Sequence, residues 1–363
     1  MYLGIRPEGV ALTPEQAKLL DDEFFLANPL EHFTARIHLL LGSELTAPTR
    51  DTHPKFFEAL GLAGVDTLPT AVKQREDVHR AIDAVVLRHQ CAEALERFLY
   101  ALTAARPRGD DAPCTWLAIA DSPTGIHAVA TATKQTFDED EQLLLKFLYP
   151  AGTVITEDLA SGCTTALAWI NHATHLLLDD ELPVNAAYNK LKHGLAVTTR
   201  DDVRIELITT QPNADGTVPL SAFGEGRSTP IFDRPLVTYL TRPRTKGKQP
   251  QPGVEAVTLR IDIPTVLAET WMMANVYAAL FHVAAVKHHN GAPPDGIAPR
   301  PALVVDRTPD RVLRGQPLGY RSPVTLPSEA TGSTRPEGLA LAGRFIPMRI
   351  DLSSRRRGRI VEG

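Results

Sequence analysis

Cysteine is scarce in this chain: Cys91, Cys114 and Cys163 are the only three among 363 residues, and none sits in a Cys-x-x-Cys pair. An odd, scattered set excludes a disulfide framework and a cysteine zinc site, so a reducing cytoplasm is the expected compartment. Long apolar runs are missing as well. Met1 to Glu8 lacks an apolar run behind basic residues, and no later segment holds about 18 apolar residues without a charge, so neither export nor a membrane span is expected. Positive charge is not in excess: the formal net charge of −5 excludes a surface that coats nucleic acid throughout and leaves any such site local. Also absent are a GxxxxGK phosphate loop, a GxGxxG turn, a GxSxG elbow and an HExxH helix. Their absence disfavours the common NTPases, dinucleotide enzymes, serine hydrolases and zinc proteases, and no cofactor is expected.

What is present is ordinary globular material, 43% apolar and 22% charged, long enough for two domains or one with insertions. From Pro14 to about Leu41 the pattern is helical but broken at Asn28-Pro29, which predicts two short helices. Val78, Ile82, Val85, Leu95, Leu99 and Leu102 form the stripe of a long helix ending before Arg106. Phe137 to Leu148 begins with Asp138, Glu139, Asp140 and Glu141, a run that suits the positive end of a helix dipole. Another long helix is predicted from about Glu157 to Leu178, with Leu159, Cys163, Leu167, Ile170, Thr174 and Leu177 on one face. It should turn at Asp180-Glu181 into an antiparallel partner.

After Gly194 the period becomes alternating. Leu195 to Thr199 and Asp202 to Thr209 read as a hairpin, Ile231 to Thr241 as an edge strand because of Pro235, and Val257 to Ile261 as a further strand. Pro264 opens a last long helix to about Asn290, with Gly291 as its stop, and His282, Lys287, His288 and His289 complement the negative end of its dipole. Beyond Gly291 lysine vanishes while proline and arginine rise, which reads as an extended, wrapping tail ending in the basic Arg355 to Arg359. The expected fold class is therefore mainly α: a helical bundle with a small antiparallel β insertion (α+β) and an irregular C-terminal tail. The segments are 1–70, a helical stretch; 71–290, the bundle, with its insertion at about 195–262; and 291–363, the tail. The helix after Pro183 and the last long helix are expected to share one core.

Composition, local structure and chemistry converge on Ala187 to Gly194. Pro183 suits the first turn of a helix and Gly194 the residue that closes one. Between them Val184, Ala187, Tyr188 and Leu191 make an apolar stripe, while Asn185, Asn189 and His193 recur four apart beside it. Cleaving RNA requires a group to deprotonate a 2′-hydroxyl, one to protonate the leaving oxygen, and positive or hydrogen-bonding groups around the phosphate. His193 offers proton transfer, Asn189 an orienting amide, and Lys190 and Lys192 charge. A structural reading stands beside this one: the lysines and His193 complement the helix end, and Asn189 ties the bundle together by a buried hydrogen bond.

Tyr188-Asn189-Lys190-Leu191-Lys192-His193 resembles the signature of the HEPN superfamily, in which an arginine, a polar residue and then a histidine lie on one helix of a compact bundle. Asn189 matches the polar residue and His193 the histidine, while Tyr188 stands where the arginine would be. The chain is also similar to a group of bacterial bundle proteins carrying Tyr-Asn-x-x-Lys-His-Gly. The resemblance implies a homodimer whose motifs meet across the interface, in RNA metabolism, toxin–antitoxin biology or antiphage defence. On that reading the protein is a metal-independent endoribonuclease with His193 and Asn189 catalytic, and with Tyr188, Lys190, Lys192, Asn185, Arg88 and Arg97 on the substrate. Arg88 or Arg97, from the long helix, would stand in for the missing arginine.

The alternative is a non-catalytic RNA-binding or protein-binding scaffold that has lost the motif arginine. A third reading, a small-molecule enzyme, requires a deep polar cavity away from Asn189 and His193. Glu93 and Arg97 form an i,i+4 ion pair by default. His172 and His175 have a spacing zinc can use but no companions, so no metal is expected. Trp116, Trp169 and Trp271, each in an apolar run, are assigned to the core.

Overall fold

The computed structural model describes residues 5–42, 49, 51–60, 76–139, 143–179, 182–192, 196–202, 205–208, 210–211, 213–215, 217, 219–223, 227–243, 252–313, 315–325, 337–341 and 344–347. The chain divides into two compact units, one of residues 1–178 and 263–312, the other of residues 179–262 and 313–363.

The first unit is helical: α1 (Pro14–Phe24), α2 (Pro29–Gly42), α3 (Pro54–Leu60), α4 (Glu76–Thr103), α5 (Thr115–Ala120), α6 (Ile126–Glu139), α7 (Leu143–Leu148) and α8 (Glu157–Leu178) precede the crossing into the second unit. Thr13 caps α1 in a reciprocal box with Gln16, which satisfies two backbone donors left over at a helix start. α4 is the central helix. It packs on α2, α6, α8 and the long helix Ile263–His288, so its apolar positions are enclosed nearly all round, from Val78 and Val85 through Leu95 to Leu99. The helix Ile263–His288 carries Ala274, Ala278, Ala279 and Ala285, whose small side chains let neighbouring backbones approach. Phe24, Phe25, Phe98 and Phe281 lock α1, α4 and that helix together, with Phe24 and Phe281 ring centroids 5.2 Å apart and Phe98 and Phe281 5.4 Å apart. Phe25, Phe98 and Phe281, the buried three, each contribute about 1.5–3 kcal/mol through the water they leave.

The second unit contains α9 (Val184–Lys192), β1 (Val197–Arg200), β2 (Ile205–Ile208), β3 (Ser228–Phe232), β4 (Leu236–Thr241) and β5 (Glu255–Arg260). The helix just described, Ile263–His288, is α10, and α11 (Pro309–Leu313) ends at the last crossing. β6 (Pro317–Pro323), β7 (Gly338–Leu341) and β8 (Arg344–Pro347) complete the second unit. Its main sheet is antiparallel in the order β1-β4-β5-β6-β7-β8, and β2 pairs with β3 in a separate ribbon. Phe232, Leu236, Tyr320 and Leu339 form an apolar cluster there, and α9 packs on β1 and β4.

The mainly helical class with a small antiparallel sheet is as expected, but several pairings differ. β1 and β2 are not a hairpin, since β1 pairs with β4 and β2 with β3. Ile231 to Thr241 holds parts of two strands, and Pro235 lies in the bend between them, where its carbonyl accepts Ile261 N–H at 2.8 Å. β4 is therefore internal. The acidic run does not open a helix: Phe137 to Glu139 close α6, and Asp140 and Glu141 fall outside the described residues. α8 and α10 fall in the first unit and α9 in the second.

The tail is not irregular throughout. Residues up to 312 are strapped along the first unit, where Trp169 Nε1–H donates to Arg307 O at 2.7 Å and Asn275 to Ala302 O at 3.1 Å. β6 then joins the sheet. Gly319, Tyr320, Arg321 and Ser322 are all buried, so this strand shows none of the alternation that marks a one-sided one. Arg355 to Arg359 lie outside the described residues. No helix among the described residues is long and apolar enough to cross a membrane.

Candidate functional site

Four side chains hold α9 down: Val184, Ala187, Tyr188 and Leu191 are buried, as the stripe predicts. Its start is tied to the sheet by the Tyr239 phenol, which donates to Pro183 O at 2.7 Å. Its end is closed by Ala196 N–H, which bonds the Lys190 carbonyl at 3.1 Å and satisfies one of the acceptors left at a helix terminus. The opposite side faces water. Asn189, Lys190 and Lys192 are exposed and Asn185 is half-buried. Successive helical residues are about 100° apart, so Asn189 stands at the centre of this side with one lysine on either flank. The arrangement can present an amide and two ammonium groups, at the negative end of a helix dipole, to an anion. Asn189 is thus not an internal tie.

The other predicted site residues are placed elsewhere. His193 lies outside the described residues. Tyr188 belongs to the packed face, 9% exposed, so its phenol is not presented beside Asn189. Arg88 and Arg97 are both engaged by carboxylates of the first unit. In the first unit, Arg88 is buried and donates to both oxygens of Glu269 at 3.1 Å. Arg97 is held by Glu93 at 2.8 Å and by Ser122 and the Pro123 carbonyl. Burial would otherwise exclude the Arg88 guanidinium, whose charge the Glu269 carboxylate offsets although Arg88 Nε is buried without a partner.

Arg88 opens a buried polar network that the sequence reading did not assemble. His172 adds a hydrogen bond to Glu269 Oε2 at 2.8 Å. Burial pushes the Glu269 carboxyl up, but the Arg88 charge and the His172 hydrogen bond outweigh it and hold the group below the usual carboxylate range. Two turns along α4, Glu96 is fully buried with only Thr174 against it, and desolvation raises it to about 7. The signal for Glu269 was present: it is the only acid in the apolar run of α10, a position where an unpaired carboxylate would be prohibitive. Glu96 gave no such warning, because Glu93 and Arg97 on the same helix make an acidic residue there look like ordinary surface.

A cavity of about 500 Å³ lies in the first unit, lined by Thr133, Phe137, Leu144, Ile170 and Thr174 with Lys134 as its one charged group. A second cavity of about 610 Å³ in the same unit has Glu31, His38, His282 and Arg300 on its lining, which is the kind of polar recess the small-molecule reading asks for. Trp169 is fully buried, whereas Trp116 is partly exposed and stacks on Phe24 at 6.1 Å. Among the described residues, one cluster could hold a metal ion, Asp22 with His288 and His289. The His172 ring is engaged by Glu269 instead. Compared with family models, curated proteins and solved structures, the chain matches none.

Proposed function

We propose that this protein binds RNA without cleaving it, and that the outward side of α9 is the contact. The observation that carries this reading is the exposure of Asn189, Lys190 and Lys192 on a helix whose other side is fully engaged in packing. Ammonium groups neutralise phosphates as point charges, and an amide between them can orient a phosphate or a ribose hydroxyl. A binder rather than a nuclease is supported by the fate of the cations that would stabilise a phosphorane: Tyr188 replaces the arginine of the motif, and Arg88 and Arg97 are committed to Glu269 and Glu93. A net charge of −5 agrees with a contact confined to one patch.

The test is fluorescence anisotropy with a labelled single-stranded RNA across a salt series. Lys190→Glu with Lys192→Glu weakens binding and flattens the salt dependence by about 1.4 in log–log slope, roughly 0.7 for each lost phosphate contact. The melting temperature stays put because both side chains are exposed. Undiminished affinity in the double variant overturns the assignment of the surface. Cleavage by the wild type that disappears in His193→Ala overturns the non-catalytic part.

A further inference from the structure

Away from α9, the C-terminal end of α10 meets α1 in an arrangement that ordinary pairing does not explain. His288 Nε2 lies 2.8 Å from Asp22 Oδ1, and His289 Nδ1 lies 3.7 Å from the same oxygen. The three ligand atoms all fall within 4.8 Å of one another. Both histidines stand at the last turn of α10: His288 is its last helical residue, His289 N–H still bonds Ala285 O at 3.0 Å, and Asn290 and Gly291 then turn the chain away with φ of +53° and +87°. The two rings stand 4.7 Å apart at 78°, with the His288 ring set against Phe25 at 5.3 Å.

The His289 ring supplies a second observation, independent of proximity. Its side chain is 11% exposed. Nδ1 is too far from Asp22 for a hydrogen bond, and Nε2 is buried with no partner. Burying an imidazole nitrogen without a hydrogen bond, as at His289 Nε2, is costly. The hydrogen bond to Asp22 accounts for the place of His288, but not for a second ring turned toward the same oxygen.

The geometry points to a binding site for a divalent transition-metal ion, with zinc as the best match, formed by Asp22, His288 and His289. Donors around a tetrahedral zinc at 2.0–2.1 Å are separated by roughly 3.3 Å, and the 2.8 Å and 3.7 Å separations seen here lie on either side of that value. Two imidazoles and one carboxylate suit zinc better than calcium or magnesium, which favour oxygen alone. Three protein donors leave one coordination position for water. Lys18 is the competing cation: its Nζ sits 2.6 Å from Asp22 Oδ2, on a side chain that is 63% exposed and able to swing into solvent. It occupies the second carboxylate oxygen and leaves Oδ1 to the ion. This site is independent of the RNA reading above.

The experiment uses the full chain after chelator treatment, titrated with Zn²⁺ by calorimetry and with Co²⁺ by its visible spectrum. One equivalent binds, and cobalt gives the intense bands of a tetrahedral centre. His289→Ala lowers the affinity by at least about tenfold, since even loss of a residue that only orients a ligand costs that much. Its melting temperature without metal is read alongside, because the ring it removes is 11% exposed and packs on His288, and the affinity is compared below the midpoint of both chains. Lys18→Ala, a change at an exposed side chain, raises the affinity by removing the competing charge. Equal affinity in His289→Ala places the ion elsewhere and overturns the proposal. So does the absence of saturable binding in both the wild type and Lys18→Ala.

Discussion

Glu96 and Glu269 are both carboxyl groups sealed inside the first unit, and their neighbours send them in opposite directions. Glu269 has Arg88 and His172 and remains ionised, whereas Glu96 faces only the Thr174 hydroxyl, at 2.5 Å. That hydroxyl is also 3.0 Å from the Ile170 carbonyl, and it has one hydrogen to give. A protonated Glu96 resolves the conflict by donating to Thr174 while Thr174 donates to Ile170. Burial raises the carboxyl to about 7, against an ordinary value of 4.5. Between those values the folded chain holds a proton that the unfolded chain has released, so stability falls as pH rises from about 4.5 and levels off above about 7. The full change is about 3 kcal/mol. Glu96→Gln keeps a donor to Thr174 and cannot ionise. Urea unfolding from pH 5 to 8 should therefore show the variant gaining on the wild type as pH rises. A constant difference between the two would show that Glu96 does not titrate.

At the scale of elements, β6 depends on Gly319. A Cβ there would overlap the Thr258 carbonyl oxygen of β5 and come within 3.1 Å of Leu182 Cδ1 and 3.2 Å of Leu259 Cα. Backbone cannot yield as a flexible side chain can, so Gly319→Ala should lose about 3 kcal/mol, at the upper end of what overpacking costs. Thermal melting followed by far-ultraviolet circular dichroism reads this loss, and an unchanged midpoint would mean that β5 and β6 are not paired as described. The same strand shows why some elements were legible and others not. α1, α2, α4, α8, α9 and α10 follow a helical period bounded by Thr13, Pro29, Pro183 or Gly291, and could be read directly. On α8 the expected Ile170 and Leu177 are buried, but the buried side also takes in Thr165, Ala166, Trp169, Ala173 and Leu176, and Leu167 is exposed. β6 is buried on both sides and interrupted by glycine and arginine, which erases the alternation by which β1 was found.

For the whole molecule, the chain passes between its two units three times, after 178, 262 and 312, and neither unit is a single stretch of sequence. All three tryptophans fall in the first unit, so their emission reports on it alone. Ending the chain at Val312 removes β6, β7 and β8 and leaves the outer edge of β5 unpaired, a template for aggregation. Such a truncated chain should keep blue-shifted, cooperatively unfolding tryptophan emission while residues 179–262 become sensitive to protease. Emission at the wavelength of unfolded tryptophan would show that the helices need the strands. The amino-acid sequence by itself determined that α1, α2, α4, α8, α9 and α10 would be helices and that α9 would have one apolar and one polar side, because period and capping are local properties. Only the tertiary structure decided that β1 meets β4, that Arg88 serves Glu269, and that Asp22 faces two histidines more than 260 positions away. Hydrophobic period records that a face is covered and carries no mark of what covers it; the partner is set by packing, charge compensation and hydrogen-bond satisfaction among segments remote in the chain.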